Sequence, residues 1–117
     1  MRPTQTVRVE QGSLHATLTA RVVYNLRAMD WHDQLVTAQE DDAEAGGAPR
    51  RSVDLCVDLL RSEVVSLDSW QRDGVAYDVP EDGWLDEMLA SISIDELVAL
   101  AMAVLTGGQR TEGKRES

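Results

Sequence analysis

Apolar and polar side chains alternate along the front of the chain. The even positions from 14 to 26 are Leu, Ala, Val or Tyr, whereas the odd positions are mostly His, Thr, Asn or Arg. This period of two predicts a long, half-buried β-strand. The preceding stretch "TVRVE" alternates as well, and the pair Gln11–Gly12 predicts a hairpin turn that sets Val7 and Val9 beside this strand.

A helix is the alternative for residues 14–27. Positions 14, 18, 22 and 26 are four residues apart, which is also the spacing of a helical stripe. The strand is favoured because β-branched side chains are stiff in helices. Four such side chains in this stretch count against a helix: Thr17, Thr19, Val22 and Val23.

The next segment, "AMDWHDQLVTAQEDD", has the pattern of a helix. Asp30 is placed to cap its N-terminus, and Trp31, Leu35 and Val36 form a short apolar stripe. The segment runs into "EDDAEAGGAP", which is acidic, contains Gly and ends in Pro, and which predicts a flexible loop. This loop is not a domain boundary, because neither side of it is large enough to fold alone.

Residues 50–65, "RRSVDLCVDLLRSEVV", predict a second and central helix. Pro49 suits its first turn, and the apolar positions 53, 56, 57, 60 and 64 form one helical face. Cys56 lies on that face. It is expected to be a small buried hydrophobe, because no His or basic residue stands near it in the sequence.

The segment that follows combines a turn with a Trp residue. In "LDSWQRDGVAYDVP" the pair Asp73–Gly74 favours a tight turn, and both a short hairpin and an extended loop pinned by Trp70 fit the pattern. The last part of the chain predicts two helices. One is "PEDGWLDEMLASI", and the other is opened by the capping box Ser93–Glu96 and stopped by Gly107.

Together these elements predict one α+β domain over residues 1–105, with an N-terminal β-hairpin or small antiparallel sheet followed by a bundle of about four helices. The chain has 117 residues, 43% of them hydrophobic, which suits one modest core. Residues 106–117 are polar and predict a flexible tail. No apolar run is long enough to span a membrane, and the N-terminus lacks a signal-type apolar stretch, so the protein is expected to stay where it is made.

The charge is distributed unevenly along the chain. The net charge is −10, and residues 41–105 hold fifteen acids against four arginines. An acidic surface repels nucleic acid and anionic membranes, so neither is expected as a partner. Such a surface is compatible with a basic protein partner, with mimicry of DNA, or with solubility alone. The single cysteine excludes an internal disulfide and suits a reducing compartment.

The sequence contains no arrangement typical of a catalytic, cofactor or metal site. His15, His32 and Cys56 are scattered, whereas a zinc site needs about four ligands at defined spacing. The paired acids fall in first turns of predicted helices, where they favour the helix dipole, and no glycine cluster has the context of a phosphate loop. No catalytic, cofactor-binding or metal-binding residue is therefore predicted. A small enzyme would require a cleft that places His15 or His32 beside a buried acid.

The order of elements between residues 22 and 105 resembles a known family. "YNLRAMDWHDQL" is similar to the early segment of the small tail assembly chaperones of long-tailed phages, where an extended piece ends in a helix opened by an acidic residue and Trp. "VDLCVDLLRSEVVSLDSWQRDGVAYDVP" resembles their centre, with a hydrophobic helix, a Trp-bearing segment, a polar–Gly turn and a Val-Pro exit. "WLDEMLASISIDELVALAMAVL" resembles their closing pair of helices. Ser69, before Trp70, departs from the family's more compact Trp segment.

The resemblance implies a non-enzymatic role in virion assembly. Chaperones of this family bind the long tape measure protein and help to recruit tail tube subunits. The resemblance therefore implies the tape measure and tail tube proteins as partners, no cofactor, the host bacterial cytoplasm as the location, and absence from the mature virion. Many members are also made in a frameshifted, extended form, and a polar C-terminal tail suits the shorter form, a linker to that extension or any frayed terminus equally well.

The expected partner-binding surface lies on the Trp-bearing segment and the last two helices. A holdase for a long, apolar, helical protein needs an apolar surface, and negative charge to stay in solution. The candidates, which a private core would also use, are Trp70, Trp84, Met88, Leu97, Leu100 and Val104. The alternative function is an acidic DNA mimic or other protein inhibitor, which predicts carboxylates on one exposed face. Self-association is left open.

Overall fold

The computed structural model describes residues 2–80 and 82–107 as an antiparallel sheet packed against helices. The elements in chain order are β1 (Thr4–Gln11), β2 (Leu14–Arg21), α1 (Asn25–Ala45), α2 (Arg50–Glu63), β3 (Val64–Arg72), β4 (Val75–Ala76), α3 (Trp84–Leu89) and α4 (Ile94–Thr106). The strands pair in the order β1-β2-β3-β4. The predicted α+β class, a small antiparallel sheet with four helices, is confirmed. Most of the predicted tail, residues 108–117, lies outside the described residues.

The predicted N-terminal hairpin is present. β1 and β2 pair antiparallel, with Val7 opposite Leu18 and Val9 opposite Ala16. The turn lies one residue later than predicted, at Gly12–Ser13, and the positive φ of Gly12, 60°, suits a glycine there. The even-numbered side chains of β2 are buried, so the alternation of the sequence correctly identified the core face of this hairpin.

The prediction of a strand through residue 27 is wrong beyond Arg21. The chain leaves the sheet there and enters α1 at Asn25, so the side chains of Tyr24 and Leu26 are exposed although they continue the apolar alternation. Alternation predicts a buried strand face only where the strand packs on a core, and Ala20 is the last side chain of β2 that is buried there. Asp30 is not the N-cap of this helix, because it lies inside α1 and accepts a hydrogen bond from Gln34.

The acidic segment predicted to be a loop belongs largely to α1. The helix continues through Ala45, and only residues 46–49 connect it to α2. Two carboxylates near its end contact the first turn of α2. The Asp41 carboxylate lies 3.8 Å from the Arg51 guanidinium. Acids that looked like loop residues therefore hold two helices together.

The Asp42 carboxylate caps α2 from a neighbouring helix. Pro49, at the N-cap position of α2, makes no capping bond with its own side chain. Asp42 Oδ1 instead accepts from the Arg51 amide at 3.0 Å, and Asp42 Oδ2 accepts from the Ser52 amide at 2.8 Å and from the Ser52 hydroxyl at 2.6 Å. A carboxylate at this end of a helix satisfies free N–H groups and favours the helix dipole. The Ser52 hydroxyl bond is the main reason that the pKa of Asp42 lies below its ordinary value.

Asp42→Asn is expected to lower the melting temperature at neutral pH, because the amide cannot supply the negative charge or both acceptors. The pKa of Asp42 is lowered by folding, so its contribution is present above its ordinary value of 3.8 and is lost as the pH falls through the folded-state value. Melting curves of the two proteins should therefore converge in strong acid. Glu44→Gln, an exposed change on the same helix, is the control and should leave the melting temperature unchanged. A constant difference at every pH would contradict this role of the charge.

β3 follows α2 directly, because the predicted second helix ends at Glu63, two residues earlier than expected. The pairing of β3 with β2 contains two β-bulges, which leave Val65 and Asp68 without a partner residue on β2. These bulges place Val64, Leu67 and Trp70, three residues apart, on the core side. The Asp73–Gly74 turn then leads into β4, so of the two alternatives the short hairpin is confirmed.

The core lies between one face of the sheet and the helices. α2 contacts both α1 and α4, and α4 contacts β1. Cys56, on the inner face of α2, is buried, and burial raises the pKa of its thiol, as expected for a small core residue. The capping box of Ser93 and Glu96 and the αL stop at Gly107 bound α4 as predicted. The sheet's other face carries mostly polar side chains, which is common for antiparallel sheets.

Candidate partner-binding surface

Five of the six side chains expected to contact a partner lie in the core. Because they fill the space between the sheet and the helices, a partner cannot reach them in the conformation described. Trp84 is half-buried against the same core. The buried five are Trp70, Met88, Leu97, Leu100 and Val104. Their part in binding stays a prediction, and the apolar surface that a partner can reach is made by other residues.

A cluster of polar contacts fixes the last two helices against the sheet. The Arg72 guanidinium, at the end of β3, binds both carboxylate oxygens of Glu96 at 2.7 and 2.9 Å. It also donates to the Ser91 carbonyl and the Ser13 hydroxyl. The Arg72 hydrogen bonds are the main cause of the lowered pKa of Glu96. Because Arg72 joins both hairpins to the start of α4, opening the core at this end would break several charged hydrogen bonds at once.

α1 carries exposed apolar side chains between residues 26 and 36. Leu26 is 83% exposed, Met29 is 59% exposed and Val36 is 39% exposed. Positions 26, 29 and 36 fall on one side of a helix with 3.6 residues per turn, and we call them the α1 stripe. The buried residues of α1, Leu35 and Ala38, lie on the opposite side of the helix. Tyr24, directly before the helix, is also exposed, so the apolar surface extends beyond the N-terminal end of α1.

A buried carboxylate anchors the start of α1. The Glu63 side chain, at the end of α2, is 0% exposed. Its Oε2 accepts from Arg27 Nε at 2.6 Å and from Trp31 Nε1 at 2.9 Å, and its Oε1 lies 2.8 Å from Arg2 Nη1. Burial raises the pKa of Glu63, but the hydrogen bonds from Trp31, Arg27 and Arg2 outweigh burial, so the pKa lies below its ordinary value. Glu63 therefore holds the polar side of the first turns of α1 while the α1 stripe faces solvent.

A groove of about 490 Å³ runs between α1 and α2, and we call it the acidic groove. Its apolar part includes the buried Ala38 and the half-buried Leu55. Its charged lining consists of four aspartates and one arginine: Asp33, Asp41, Asp54, Asp58 and Arg51. Arg51 pairs with Asp41, and no ion pair to the other three aspartates occurs within residues 2–80 and 82–107. The groove therefore has an excess of unpaired negative charge over an apolar floor.

The two histidines and the cysteine lie in separate places. His15 is exposed on the outer face of the sheet, 3.7 Å from the exposed carboxylate of Glu10, and His32 is exposed on α1. The buried acids Glu63 and Glu96 have arginine, tryptophan and serine partners, and neither contacts a histidine. Over the described part of the chain no three His, Cys, Asp or Glu side chains form a group that could hold a metal ion.

No helix within residues 2–80 and 82–107 has both the length and the apolar character needed to cross a bilayer. Comparison of the chain with protein-family models, with curated proteins and with solved structures finds no match. The candidate surface consists of an exposed apolar stripe on a well-anchored helix, beside a groove rich in carboxylates.

Proposed function

We propose that this protein is a non-enzymatic tail assembly chaperone of a long-tailed phage. It binds the tape measure protein, keeps it in solution and helps to recruit tail tube subunits. It acts in the cytoplasm of the bacterial host and is absent from the mature virion. The observation that carries the proposal is the α1 stripe, because three large apolar side chains are exposed on the side of α1 opposite its buried residues.

The surface suits a holdase for a long apolar protein. A client helix gains most from burying apolar area, and Leu26, Met29 and Tyr24 offer that area without rearrangement of the core. Met side chains adapt to different client sequences, because the thioether chain is flexible. The net charge of −10 keeps the free chaperone and its complex in solution.

The alternative of a DNA mimic has less support. A mimic needs many carboxylates free on one face, whereas several acids of this chain are bound inside the protein. Glu63 and Glu96 are buried with arginines, and Asp42 caps a helix. The outer face of the sheet adds mixed charges rather than a negative surface, because Arg8 and Arg21 are exposed there together with Glu10.

Co-expression with the tape measure protein of the same phage tests the proposed function. The tape measure protein is expected in the soluble fraction when this chain is present and in the pellet when it is absent. Leu26→Ser/Met29→Ser should return most of it to the pellet, because the double change removes the centre of the exposed apolar area. Both positions are exposed, so the variant is expected to fold normally.

The matched control changes two exposed valines on the sheet. Val65→Thr/Val75→Thr makes two exposed side chains of β3 and β4 more polar and should solubilise the tape measure protein as well as the wild type does. If the tape measure protein stays insoluble beside the wild-type chain, or is soluble without it, the proposed function is wrong.

A further inference from the structure

We infer that the α1 stripe and the acidic groove form one docking site for an amphipathic α-helix whose apolar stripe is flanked by Lys or Arg. This inference rests on the proposed function, since it specifies the chemistry of the client segment. Two neighbouring features support it: the exposed apolar α1 stripe, and groove carboxylates that pair with no cation within residues 2–80 and 82–107.

The stripe and the groove are contiguous along α1. Asp33 lines the groove and lies four residues after Met29 and three residues before Val36. Residues at these spacings are neighbours on a helix surface. A helix packed on the stripe would therefore pass beside the rim of the groove. α1 has 21 residues and is about 31 Å long, so it can contact several turns of a client helix.

The negative charges of the groove favour a client helix that has Lys or Arg beside its apolar stripe. Asp33 stands on one wall, and Asp54 and Asp58, one turn apart, stand on the other. A Lys or Arg side chain can lay its methylene groups on Leu55 and Ala38 and place its charged end between the two walls. A client with acidic flanks would meet three unpaired carboxylates and would be repelled.

A second copy of this chain is a poor occupant for the same reason. The outward side of α1 carries Asp30, Asp33 and Glu40 among the apolar residues. Two copies of α1 packed across a two-fold axis would bring these acids together without a basic residue of the same side to compensate them. Charge complementarity therefore favours a basic partner over self-association through this face.

Binding of two designed peptides tests the inference. One peptide repeats Leu-Lys-Lys-Leu-Leu-Lys-Leu, and the other has Glu in place of each Lys. We expect the Lys peptide to bind the full chain in fluorescence anisotropy and the Glu peptide not to bind. Leu26→Ser/Met29→Ser should lower the affinity for the Lys peptide by about tenfold or more. Asp54→Asn/Asp58→Asn should lower the affinity for this peptide by about three- to tenfold. The affinity of this variant should also fall less than that of the wild type when the salt concentration rises from about 0.05 M to about 0.5 M.

The control for charge is Asp78→Asn/Glu87→Gln, which removes two exposed carboxylates outside the groove. It makes the net charge less negative by the same amount as the groove variant does, so it separates the groove from a general attraction between an acidic protein and a basic peptide. Circular dichroism of each variant confirms folding. Equal affinities of the groove variant and the control variant would overturn the inference. So would a wild-type dimer that Leu26→Ser/Met29→Ser dissociates, because the stripe would then be occupied by a second copy.

The two proposals fail by different results. If the tape measure protein is kept soluble by the wild type and equally by the groove variant, the chaperone function stands and the role of the groove falls. If the Lys peptide binds with the expected dependence on Asp54 and Asp58 but the tape measure protein stays in the pellet, the docking site stands and the proposed client is wrong.

Discussion

Glu63→Gln is expected to lower the free energy of unfolding by about 3 kcal/mol at neutral pH. The carboxylate is completely buried and receives hydrogen bonds from Arg27 and Trp31 and an ion pair from Arg2. The glutamine amide has nearly the same shape as the carboxylate but carries no charge. It also replaces one acceptor oxygen by an NH2 donor, which then faces an arginine or the Trp31 N–H. The loss is limited because Arg2 and Arg27 are partly exposed and can be hydrated.

Chemical denaturation of the wild type and of Glu63→Gln at several pH values measures this effect. The pKa of Glu63 is lowered by folding, so its stabilisation is complete above its ordinary value of 4.5 and is lost as the pH falls through the folded-state value. The difference between the two proteins should therefore shrink in acid. Glu87→Gln, an exposed change, is the control and should stay within about 0.5 kcal/mol of the wild type. A Glu63→Gln protein as stable as this control would show that the network contributes nothing to folding.

Leu100→Ala is expected to cost about 3 kcal/mol of unfolding free energy. Leu100 is 1% exposed on the inner side of α4, among Leu59, Leu60 and Leu97 in the core. Truncation removes buried methyl groups and leaves a cavity that the surrounding helices and sheet cannot close completely. Leu100 was also a candidate for partner contact, so the same variant distinguishes a structural role from a binding role.

Equilibrium unfolding in urea measures the first role, and peptide or tape measure binding at low temperature measures the second. We expect a large fall in stability and unchanged binding by the fraction of Leu100→Ala that is folded. Ile94→Ala, at an exposed position of the same helix, is the control and should cost less than about 1 kcal/mol. Normal stability together with lost binding would instead assign Leu100 to a surface that opens to the partner.

Local patterns predicted the elements whose signals are complete within a few residues. The alternation of β2 and the capping box at Ser93 each include the residues that determine the structure, and both were correct. The boundary between β2 and α1 was missed, because Tyr24 and Leu26 continue the alternation while no core lies opposite them. The end of α2 was missed for a related reason. Val64, Leu67 and Trp70 have a helical spacing, and two bulges turn it into one face of a strand.

The candidate surface was harder to predict than the fold. Large apolar side chains on amphipathic helices suit a core and an interface equally, and the sequence does not say which side of a helix is covered. Trp70, Leu97 and Val104 proved to be covered, whereas Leu26 and Met29 are open. The helical spacing of positions 26, 29 and 36 was the available signal, and the assignment of residue 26 to a strand concealed it. The partners of Glu63 lie far away in sequence and could not be inferred from it.

Both ends of α1 are joined to α2 by carboxylates, Asp42 near one end and Glu63 near the other. A shift of α1 by one turn would break both junctions together, so the helix has a single register against its neighbour. A surface held in this way is preorganised, so α1 loses little conformational entropy when another chain binds to it. The affinity should then depend chiefly on how much conformational entropy the partner segment loses when it becomes ordered on α1.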